Sequence, residues 1–399
     1  MDIITDAKKI DEILERGTIV QILPTKDEFR KKLLNGERLK FYIGFDATAP
    51  TLHLSHAKNL MLLEKFRKLG HEVIVLFGDF TARIGDPTGE KSSRKQLTRD
   101  DVLENVKIWK ELIKPLMDFN DKENPPVIKY NNEWLSKLNF EDIINLSSNF
   151  TVQQMIERDM FDKRLKDGKP IYLHEFFYPL MQGYDSVVMD VDVELCGTDQ
   201  IFNALAGRTL LRKLKDKEKI VVAVTLMENP KTGELMSKSK GTGVFLDVSA
   251  SDMYGQVMSQ PDEMMEILFV NVTDLPLDEI KNLVKGSNPM EVKKRLAFEI
   301  VKKMKGEEKA KEAEENFKTQ FQKGGIPENI EEFEVKVGEG ILAVLNQIDF
   351  VSSNGEARRK VVEKAVKLDG ETIEDPTYTL GAGEKIIKLG RKIAKLIIK

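Results

Sequence analysis

Short apolar runs alternate with longer segments of mixed polarity along residues 41–227 of the chain. The longer segments repeat their apolar positions at helical spacing, whereas the short runs are almost continuously apolar. Continuous apolar runs are typical of strands that are buried on both faces of a parallel sheet. Strands that alternate with helices predict an α/β fold with a doubly wound, mainly parallel sheet. We expect strands near residues 41–45, 73–77, 127–130, 187–195 and 221–227, and helices over 1–40, 54–69, 141–166 and 174–185 and after residues 98 and 197.

The pattern becomes purely helical, with many Lys and Glu residues, between residues 252 and 323. Gly324-Gly325-Ile326-Pro327 then forms a sequence that is typical of a linker. The last segment predicts a small unit with a helix over 357–368, a turn at Asp369-Gly370 and a tail over 385–399. We therefore expect an α/β domain over 1–230, a lysine-rich loop over 231–244, an α-helical domain over 245–325 and a small domain over 335–399.

Composition excludes several classes of protein. With 41% hydrophobic and 32% charged residues, the chain is globular rather than disordered. Its single cysteine, Cys196, excludes an intrachain disulfide and fits a reducing, cytoplasmic setting. Residues 1–12 lack the apolar centre of a signal peptide, and the longest apolar runs are too short to span a membrane.

Charge is unevenly distributed. The whole chain has 62 Lys and Arg against 66 Asp and Glu, whereas residues 335–399 contain 12 Lys and Arg against 9 Asp and Glu. A small basic unit on an acidic protein suggests contact with a nucleic acid or another polyanion. A solvated helical face is an equally good interpretation of this composition.

Residues 42–56 combine a predicted strand, a polar turn and the start of a helix. Ala49-Pro50 interrupts the strand pattern, because proline removes a donor and restricts the residue before it. The N-terminus of a helix at such a turn is a ready site for an anion. His53 and His56 project from one face of that helix. Alone, they could be surface residues or part of a metal site, although no further ligands at suitable spacing are evident.

Polar residues follow three predicted strands of the same sheet. Asp46, Asp86 and Asp199 could each be a turn or cap residue, but parallel sheets bind ligands at the carboxyl ends of their strands. Their common position favours a nucleotide site. Residues 229–241 add a lysine-rich loop that could close over a triphosphate, because Lys donates to phosphate oxygens. Alone, such a segment is more often a plain surface loop.

Together these motifs resemble those of class I aminoacyl-tRNA synthetases. The His53-Leu54-Ser55-His56 turn and the Met236-Ser237-Lys238-Ser239 loop flank the α/β domain. Four further motifs narrow the resemblance to bacterial tyrosyl-tRNA synthetases, over essentially the whole chain. It implies a Rossmann-like catalytic domain, an α-helical anticodon-side domain and a small α+β S4-like RNA-binding domain. The four motifs are Tyr42-Ile43-Gly44-Phe45-Asp46, Gly85-Asp86-Pro87-Thr88-Gly89, Tyr178-Pro179-Leu180-Met181-Gln182-Gly183-Tyr184-Asp185 and Gly197-Thr198-Asp199-Gln200.

The resemblance implies an enzyme that activates L-tyrosine with ATP and transfers it to the terminal adenosine of tRNA(Tyr). Mg²⁺ would accompany ATP without a dedicated protein site, and the enzyme would be a homodimer that binds one tRNA across both subunits. Two alternatives stay open: another nucleotidyltransferase of the same superfamily, and a non-enzymatic RNA-binding protein. The helical and basic C-terminal parts argue against the first alternative.

The resemblance also implies a role for each matching residue. On the ATP side, the implied groups donate to the γ-phosphate, contact the ribose or adenine, and allow close approach of the nucleotide. On the tyrosine side, they bind the phenol hydroxyl and the ammonium. The implied ATP residues are Thr48 and His53 (γ-phosphate), Lys238 (from the loop), His56 (ribose or adenine), Asp199 (ribose hydroxyl) and Gly197 (close approach). The implied tyrosine residues are Tyr42 and Asp185 (phenol hydroxyl), Tyr178, Gln182 and Asp86 (ammonium), and Asp46 and Gln200 (near the reacting carboxylate and phosphate).

Three positions depart from the family pattern. Ser55 stands where the family usually has Gly, so its side chain must turn aside from adenine or weaken ATP binding. Leu235 stands where Lys is common, which removes one possible phosphate contact. Glu90 stands where relatives often have Lys, and Lys91 and Arg94 lie close by in the sequence as substitutes.

Overall fold

A computed structural model describes residues 2–86, 97–156, 159–236, 242–286, 288–322, 331–351, 353–390 and 392–399. The chain divides into two units, Met1–Glu314 and Glu315–Lys399. Each unit has its own sheet. The two are described separately below.

The first unit contains a six-stranded sheet in the order β1-β6-β5-β2-β3-β4. All neighbouring strands are parallel except β1, which pairs antiparallel with β6. The predicted α/β fold with a mainly parallel sheet is therefore confirmed. The strands are β1 (Ile19–Leu23), β2 (Lys40–Phe45), β3 (Glu72–Phe77), β4 (Val127–Tyr130), β5 (Val193–Gly197) and β6 (Ile220–Val224).

The strand order reverses between β2 and β5. From β2 the chain proceeds outward through β3 to β4, and it then returns to the other side of β2 to add β5 and β6. In open α/β sheets, ligands bind at the carboxyl ends of the strands beside such a reversal. The topology therefore directs attention to the residues that follow β2, β3 and β5.

Helices cover the sheet and continue after it. Short 3₁₀ turns lie at Leu173–Phe176, Thr198–Gln200 and Asp262–Met264. Among the described helices, none is long and apolar enough to span a membrane. The helices of the first unit are α1 (Ala7–Leu14), α2 (Lys26–Leu34), α3 (Leu54–Lys68), α4 (Thr81–Ile84), α5 (Arg99–Ile113), α6 (Asn132–Leu135), α7 (Phe140–Ser147), α8 (Val152–Ile156), α9 (Asp159–Lys166), α10 (Phe177–Met189), α11 (Ile201–Lys215), α12 (Ala250–Met258), α13 (Met265–Val272), α14 (Leu277–Gly286) and α15 (Pro289–Lys305), followed by α16 (Glu307–Gln322), which continues into the second unit.

Two sequence predictions for this unit are wrong in part. Residues 1–40 were expected to be helical throughout, but they contain the edge strand β1, in which only Ile22 is buried. A mostly exposed strand lacks the apolar run that revealed the central strands. The predicted strand over 187–195 begins only at Val193, because α10 continues to Met189 and ends at Asp190 in a left-handed conformation with φ of 52°.

The helices α10 and α11 pack very closely against each other near the reversal of strand order. A Cβ atom on Gly183 of α10 would lie 3.1 Å from the backbone nitrogen of Gly207 on α11. Glycine at both positions allows this approach, since any side chain would separate the helices. The close packing brings polar side chains of α10 and α11 within hydrogen-bond distance of each other.

In its described residues after 331, the second unit contains a five-stranded sheet with two helices. Its strand order is β7-β11-β10-β8-β9. The predicted helix over 357–368 ends at Val362, and the apolar residues that follow it form a strand instead. The turn at Asp369 and Gly370 is confirmed, since both residues have positive φ. The elements are β7 (Glu332–Val335), α17 (Ile341–Gln347), α18 (Asn354–Val362), β8 (Val366–Leu368), β9 (Glu371–Thr372), β10 (Gly383–Leu389) and β11 (Lys392–Ile398).

Candidate active site

The strand–turn–helix predicted around residues 42–56 is present as β2, an eight-residue connection and α3. Helix α5 holds the connection from one side. Trp109 Nε1 donates to the carbonyl of Ala49 at 2.8 Å, and Asn105 Nδ2 donates to the carbonyl of Ala47 at 2.8 Å. These bonds fix the backbone that carries Thr48, whose side chain is exposed.

His53 and His56 form a reciprocal cap at the start of α3. The backbone N–H of Ser55 donates to His53 Nδ1 at 3.3 Å, and the backbone N–H of His53 donates to His56 Nδ1 at 3.3 Å. Burial lowers the pKa of His53 to about 4, and burial with the neighbouring His53 lowers the pKa of His56 to about 3. Both rings are therefore neutral at pH 7. Because each Nδ1 accepts, each Nε2 carries the proton and is a donor.

Asp46 lies immediately after β2 and accepts two hydroxyl protons. Tyr178 Oη donates to it at 2.9 Å, and Thr81 Oγ1 donates at 2.6 Å. Desolvation, opposed by these two bonds and reinforced by Asp86, raises the pKa of Asp46 to about 7. Gly78 makes room for the carboxylate, since a Cβ there would meet Asp46 Oδ1 at 2.1 Å. Asp46 and Tyr178, two residues predicted for different parts of the site, are thus in direct contact.

Asp185 is buried in α10 with two donors that the sequence analysis missed. Trp134 Nε1 donates to its carboxylate at 2.7 Å, and Asn131 Nδ2 donates at 3.3 Å. Desolvation, together with the nearby carboxylates of Asp46 and Glu194, raises the pKa of Asp185 well above its ordinary value, although the two donors oppose the shift. The carboxyl group is therefore a buried acceptor held in a fixed position.

Five amide and carboxylate side chains form a second cluster. Gln200 Nε2 donates to Asp86 at 2.8 Å and to Asp199 at 3.2 Å. Asn203 Nδ2 lies within hydrogen-bond distance of Gln200 at 2.8 Å, of Gln182 at 3.0 Å and of Asp86 at 3.4 Å. Asn203, which the sequence analysis missed, therefore joins three predicted residues.

Tyr42, which the resemblance assigns together with Asp185 to the substrate's phenol hydroxyl, is buried. Its hydroxyl lies 2.9 Å from Ser186 Oγ. Ser186 in turn receives a hydrogen bond from Lys219 Nζ at 3.0 Å, and Lys219 forms an ion pair with Glu194. Desolvation and the carboxylates of Glu194 and Asp185 raise the pKa of Tyr42 well above its ordinary value, so its hydroxyl stays protonated.

The nucleotide residues after β5 depend on a close backbone approach. A Cβ on Gly197 would lie 2.4 Å from Asp199 Oδ1, so glycine leaves the space that this carboxylate occupies. Lys58, one turn into α3, donates to the carbonyl of Thr225. Desolvation lowers the pKa of Lys58 to about 8, and Asp199 opposes the shift. Gly197, Asp199 and Lys58 therefore lie at the same edge of the sheet as the capped histidines.

Segments on both sides of the lysine-rich loop are anchored. Leu54 N donates to Val244 O at 3.1 Å, Leu246 N donates to Leu52 O at 2.8 Å, and Met236 N donates to Met227 O at 3.1 Å. The side chain of Leu235 is 47% exposed. Lys238 lies outside the described residues, as do Glu90, Lys91 and Arg94.

The structure therefore brings six of the thirteen predicted site residues into two hydrogen-bonded groups. One group joins Asp46 to Tyr178, and the other joins Asp86, Gln182, Asp199 and Gln200. Within the described parts of the chain, no group of three or more His, Cys, Asp or Glu side chains could hold a metal ion. Of the residues that were not predicted from the sequence, three gave a signal because they are polar residues within or beside apolar segments: Glu194, Asn203 and Lys219. The other residues that were not predicted are Thr81, Asn131, Trp134 and Ser186.

Known proteins resemble this chain over most of its length. The family model described as "tRNA synthetases class I (W and Y)" matches residues 34–322. Among curated relatives, "Tyrosine--tRNA ligase 2" of Vibrio cholerae is 40% identical over 391 residues, covering 97% of this chain and 98% of the relative. "Tyrosine--tRNA ligase" of Thermotoga maritima is 39% identical over 387 residues, covering 96% and 95%.

Solved structures share the fold. A C-terminally truncated mitochondrial tyrosyl-tRNA synthetase from Coccidioides posadasii has a TM-score of 0.63 at 24% identity, covering 77% of this chain and 91% of that one. Tyrosyl-tRNA synthetase from Aeropyrum pernix has a TM-score of 0.58 at 20% identity, covering 78% and 98%. With a family match over most of its length and near-full-length relatives, the chain belongs to the class I tRNA synthetases of the tryptophan and tyrosine group.

Proposed function

We propose that the protein is a tyrosine–tRNA ligase, which makes tyrosyl-adenylate from L-tyrosine and ATP and then esterifies tRNA(Tyr). The observation that carries the proposal is the buried Asp185 carboxyl, which is held by Trp134 and Asn131 and lies near enough to the buried Tyr42 hydroxyl to raise its pKa. The Asp185 carboxyl would accept a hydrogen bond from the phenol hydroxyl of tyrosine, and the Tyr42 hydroxyl would donate one to it. The near-full-length relatives named as tyrosine–tRNA ligases support the same substrate.

Recognition of tyrosine would use opposite ends of the amino acid. The phenol hydroxyl would donate to Asp185 and accept from Tyr42, whereas the ammonium would lie among Asp86, Tyr178 and Gln182. Phenylalanine would leave the two buried phenol-binding groups unpaired, and unpaired buried polar groups are costly. The site would therefore select tyrosine through its hydroxyl.

ATP would lie at the start of α3. A tyrosine carboxylate oxygen attacks the α-phosphorus, and the bond from that phosphorus to the β-phosphate bridging oxygen breaks to release pyrophosphate. The neutral Nε2–H groups of His53 and His56, with Thr48, would donate to the nucleotide as charge develops on the leaving group. Positioning supplies the rest of the acceleration, because both reactants are held in line. Lys238 would add a positive charge from the loop.

The remaining nucleotide contacts would come from the end of β5. Asp199 would accept from a ribose hydroxyl, and Gly197 would admit the nucleotide close to the backbone. Gln200 and Asp46 would lie near the reacting carboxylate and phosphate. Mg²⁺ would arrive bound to ATP phosphates, since this ion commonly uses few protein ligands. In the second step a ribose hydroxyl of the tRNA attacks the tyrosyl carbonyl, and AMP leaves.

The tRNA would also contact the second unit, which we infer to be an S4-like RNA-binding domain. The net positive charge of residues 335–399 and the mixed sheet of this unit support this role. The single cysteine and a substrate found where proteins are made favour a cytoplasmic enzyme.

A homodimer is part of the proposal. Six large apolar side chains between residues 140 and 173 are exposed, among them Phe140 at 77% and Leu173 at 72%. Such a concentration of exposed apolar surface is typical of a protein interface. Sedimentation should give a dimer that Phe140→Glu dissociates; a wild-type monomer at micromolar concentration would contradict this part of the proposal.

The decisive experiment is ATP–pyrophosphate exchange with each of the twenty amino acids. Exchange with tyrosine that is far faster than with any other amino acid is the expected result. Faster exchange with a different amino acid would overturn the assigned substrate. The absence of exchange in a folded preparation would favour a non-enzymatic RNA-binding protein, and adenylylation of a non-amino-acid acid would favour another nucleotidyltransferase.

A further inference from the structure

Beneath the tyrosine site lies an ion pair between Lys219 and Glu194 that none of the roles above uses. Lys219 precedes β6 and Glu194 lies within β5, and their side chains are 0% and 3% exposed. Removing two charges from water carries a large desolvation penalty, which the pairing offsets only in part. A fully buried ion pair therefore contributes little net stability to the fold. The residues that it contacts suggest a different role.

The ion pair fixes the direction of the hydrogen bonds around it. An ammonium group has only donors, so Ser186 Oγ must accept from Lys219 Nζ across their 3.0 Å contact. Both carboxylate oxygens of Glu194 are occupied, one by Lys219 and the other by Gln182 Nε2 at 2.9 Å. Because Ser186 Oγ accepts from Lys219, the hydroxyl proton of Ser186 must be donated to a different group, and few acceptors are available nearby.

Ser186 has two candidate acceptors for that proton. Tyr42 Oη lies 2.9 Å away, whereas the oxygen of Glu194 lies 3.5 Å away and already accepts from Lys219. The shorter bond to a less occupied acceptor is the stronger one. Ser186 therefore donates to Tyr42, and the proton of Tyr42 points either to the Glu194 carboxylate, which also interacts with this hydroxyl, or to an acceptor on the substrate.

We propose that Lys219 is a positioning residue for tyrosine selection: through Ser186 it orients the Tyr42 hydroxyl as a donor to the substrate's phenolic oxygen. This inference rests on the proposed function, because it concerns how that same site recognises its substrate. The chain of donors runs from Lys219 to Ser186, from Ser186 to Tyr42 and from Tyr42 to the substrate. The substrate's own proton then goes to Asp185, so every group in the chain has a single assigned direction.

The packing of α11 keeps space for this chain. A Cβ atom on Gly207 would lie 2.5 Å from Lys219 Nζ and 2.8 Å from Ser186 Oγ. Any side chain at that position would therefore displace the ammonium or the hydroxyl. The cation also lies 5.9 Å from the centre of the Tyr42 ring, which is within the range of a cation–π contact.

The test compares tyrosine with phenylalanine in ATP–pyrophosphate exchange. Ser186→Ala breaks the chain but leaves the ion pair intact, and Lys219→Met with Glu194→Gln removes the pair without leaving a buried charge. Each variant should raise KM for tyrosine about five- to tenfold, the range for one lost hydrogen bond, with kcat nearly unchanged. Exchange with phenylalanine, which has no phenolic oxygen, should stay the same. The neighbouring Lys217→Met, which removes a cation paired with Asp192, is the matched control.

A double-mutant cycle separates positioning from a structural role. In a Tyr42→Phe background the same substitutions should have no further effect on the ratio of tyrosine to phenylalanine kcat/KM. Equal losses for both amino acids, or additive losses in that background, would overturn the inference. Should the double variant fail to fold, Ser186→Ala alone still decides the matter. Failure of wild-type exchange with tyrosine would instead refute the proposed function.

Discussion

The hydroxyl of Tyr178 donates to the carboxylate of Asp46 across 2.9 Å, which links α10 to the end of β2. The two residues are 132 positions apart in the chain. Asp46 is desolvated there and close to Asp86, and its pKa is raised to about 7. One ionisation in this pair therefore falls near physiological pH.

Asp46 should make the stability of the free protein depend on pH. Its pKa of about 7 in the folded state lies above the ordinary value of 3.8, so the folded protein binds more protons than the unfolded chain between those two pH values. The stabilising contribution is complete at low pH and is lost as pH rises to 7. Asp46→Asn should remove this dependence. Between pH 4 and pH 8 the free energy of unfolding of the wild type should therefore fall by about 4 kcal/mol more than that of the variant.

Denaturant unfolding of wild type and Asp46→Asn from pH 4 to 8 measures this difference. Exposed Asp216→Asn is the matched control and should follow the wild-type curve. Parallel curves for wild type and Asp46→Asn would show that Asp46 titrates alike in both states.

Asp185→Asn should impair tyrosine use much more than folding. The substitution keeps the shape of the side chain, but it replaces one acceptor oxygen by a donor that faces Asn131 or Trp134 and the phenol hydroxyl. We expect KM for tyrosine to rise about 10- to 100-fold in pyrophosphate exchange. KM for ATP and the midpoint of thermal unfolding serve as internal controls. An unchanged KM for tyrosine would remove Asp185 from the phenol site.

The capped histidines should destabilise the protein as pH falls. Their pKa values of about 4 and 3 lie below the ordinary 6.5, so below pH 6.5 the unfolded chain binds protons that the folded protein does not. Their stabilising contribution is therefore present above pH 6.5 and is lost as pH decreases towards 4. His53→Asn should flatten this part of the curve by about 1–2 kcal/mol.

The measurement is thermal unfolding between pH 4.5 and 7.5, with exposed His174→Asn as the control. The rates of exchange should also lack an ionisation near pH 6.5 from these rings. A His53→Asn curve that runs parallel to wild type would contradict the neutral, buried state of the pair.

Parts of this fold were predictable because buried strands leave a strong signal. β3 is apolar at nearly every position, since both of its faces are covered, and β4 was placed at its observed residues. β1 was missed because it is an edge strand with a single buried side chain. The end of α10 was predicted too early in the chain because Val187 and Met189 are buried in the helix. A short apolar run of this kind does not distinguish a buried helix from a strand.

The sequence motifs predicted which residues belong to the site, but they did not predict the contacts between residues that are far apart in the chain. The Asp residues after three strands could be assigned to one sheet edge because parallel strands end together. The contacts of Tyr42 with Ser186 and of Asp185 with Trp134 join residues 144 and 51 positions apart. Pairings of that range depend on how α10 packs against the sheet, and no local spacing in the sequence encodes them.

Ser55→Gly should strengthen ATP binding and weaken the helix. Ser55 is half-buried in the first turn of α3, and its N–H takes part in the histidine cap. Removing the side chain would let adenine approach the backbone, so KM for ATP should fall a few-fold. Glycine should lower the free energy of unfolding by about 0.5–1 kcal/mol. An unchanged KM for ATP would show that the serine is well accommodated beside the nucleotide.

Removal of residues 331–399 should separate the two reaction steps. The second unit has its own core, which includes Val344, Val361, Ile387 and Leu396, whereas the residues assigned to ATP and tyrosine lie in the first unit. Pyrophosphate exchange should therefore stay within about twofold of the full-length rate. Aminoacylation of tRNA should fall by about tenfold or more, since several phosphate contacts from the Lys and Arg side chains of this unit would be lost. The loss should appear in KM for tRNA and should shrink as the salt concentration increases, because such contacts are electrostatic. Equal losses in exchange and aminoacylation would mean that the second unit supports the catalytic domain instead of binding tRNA.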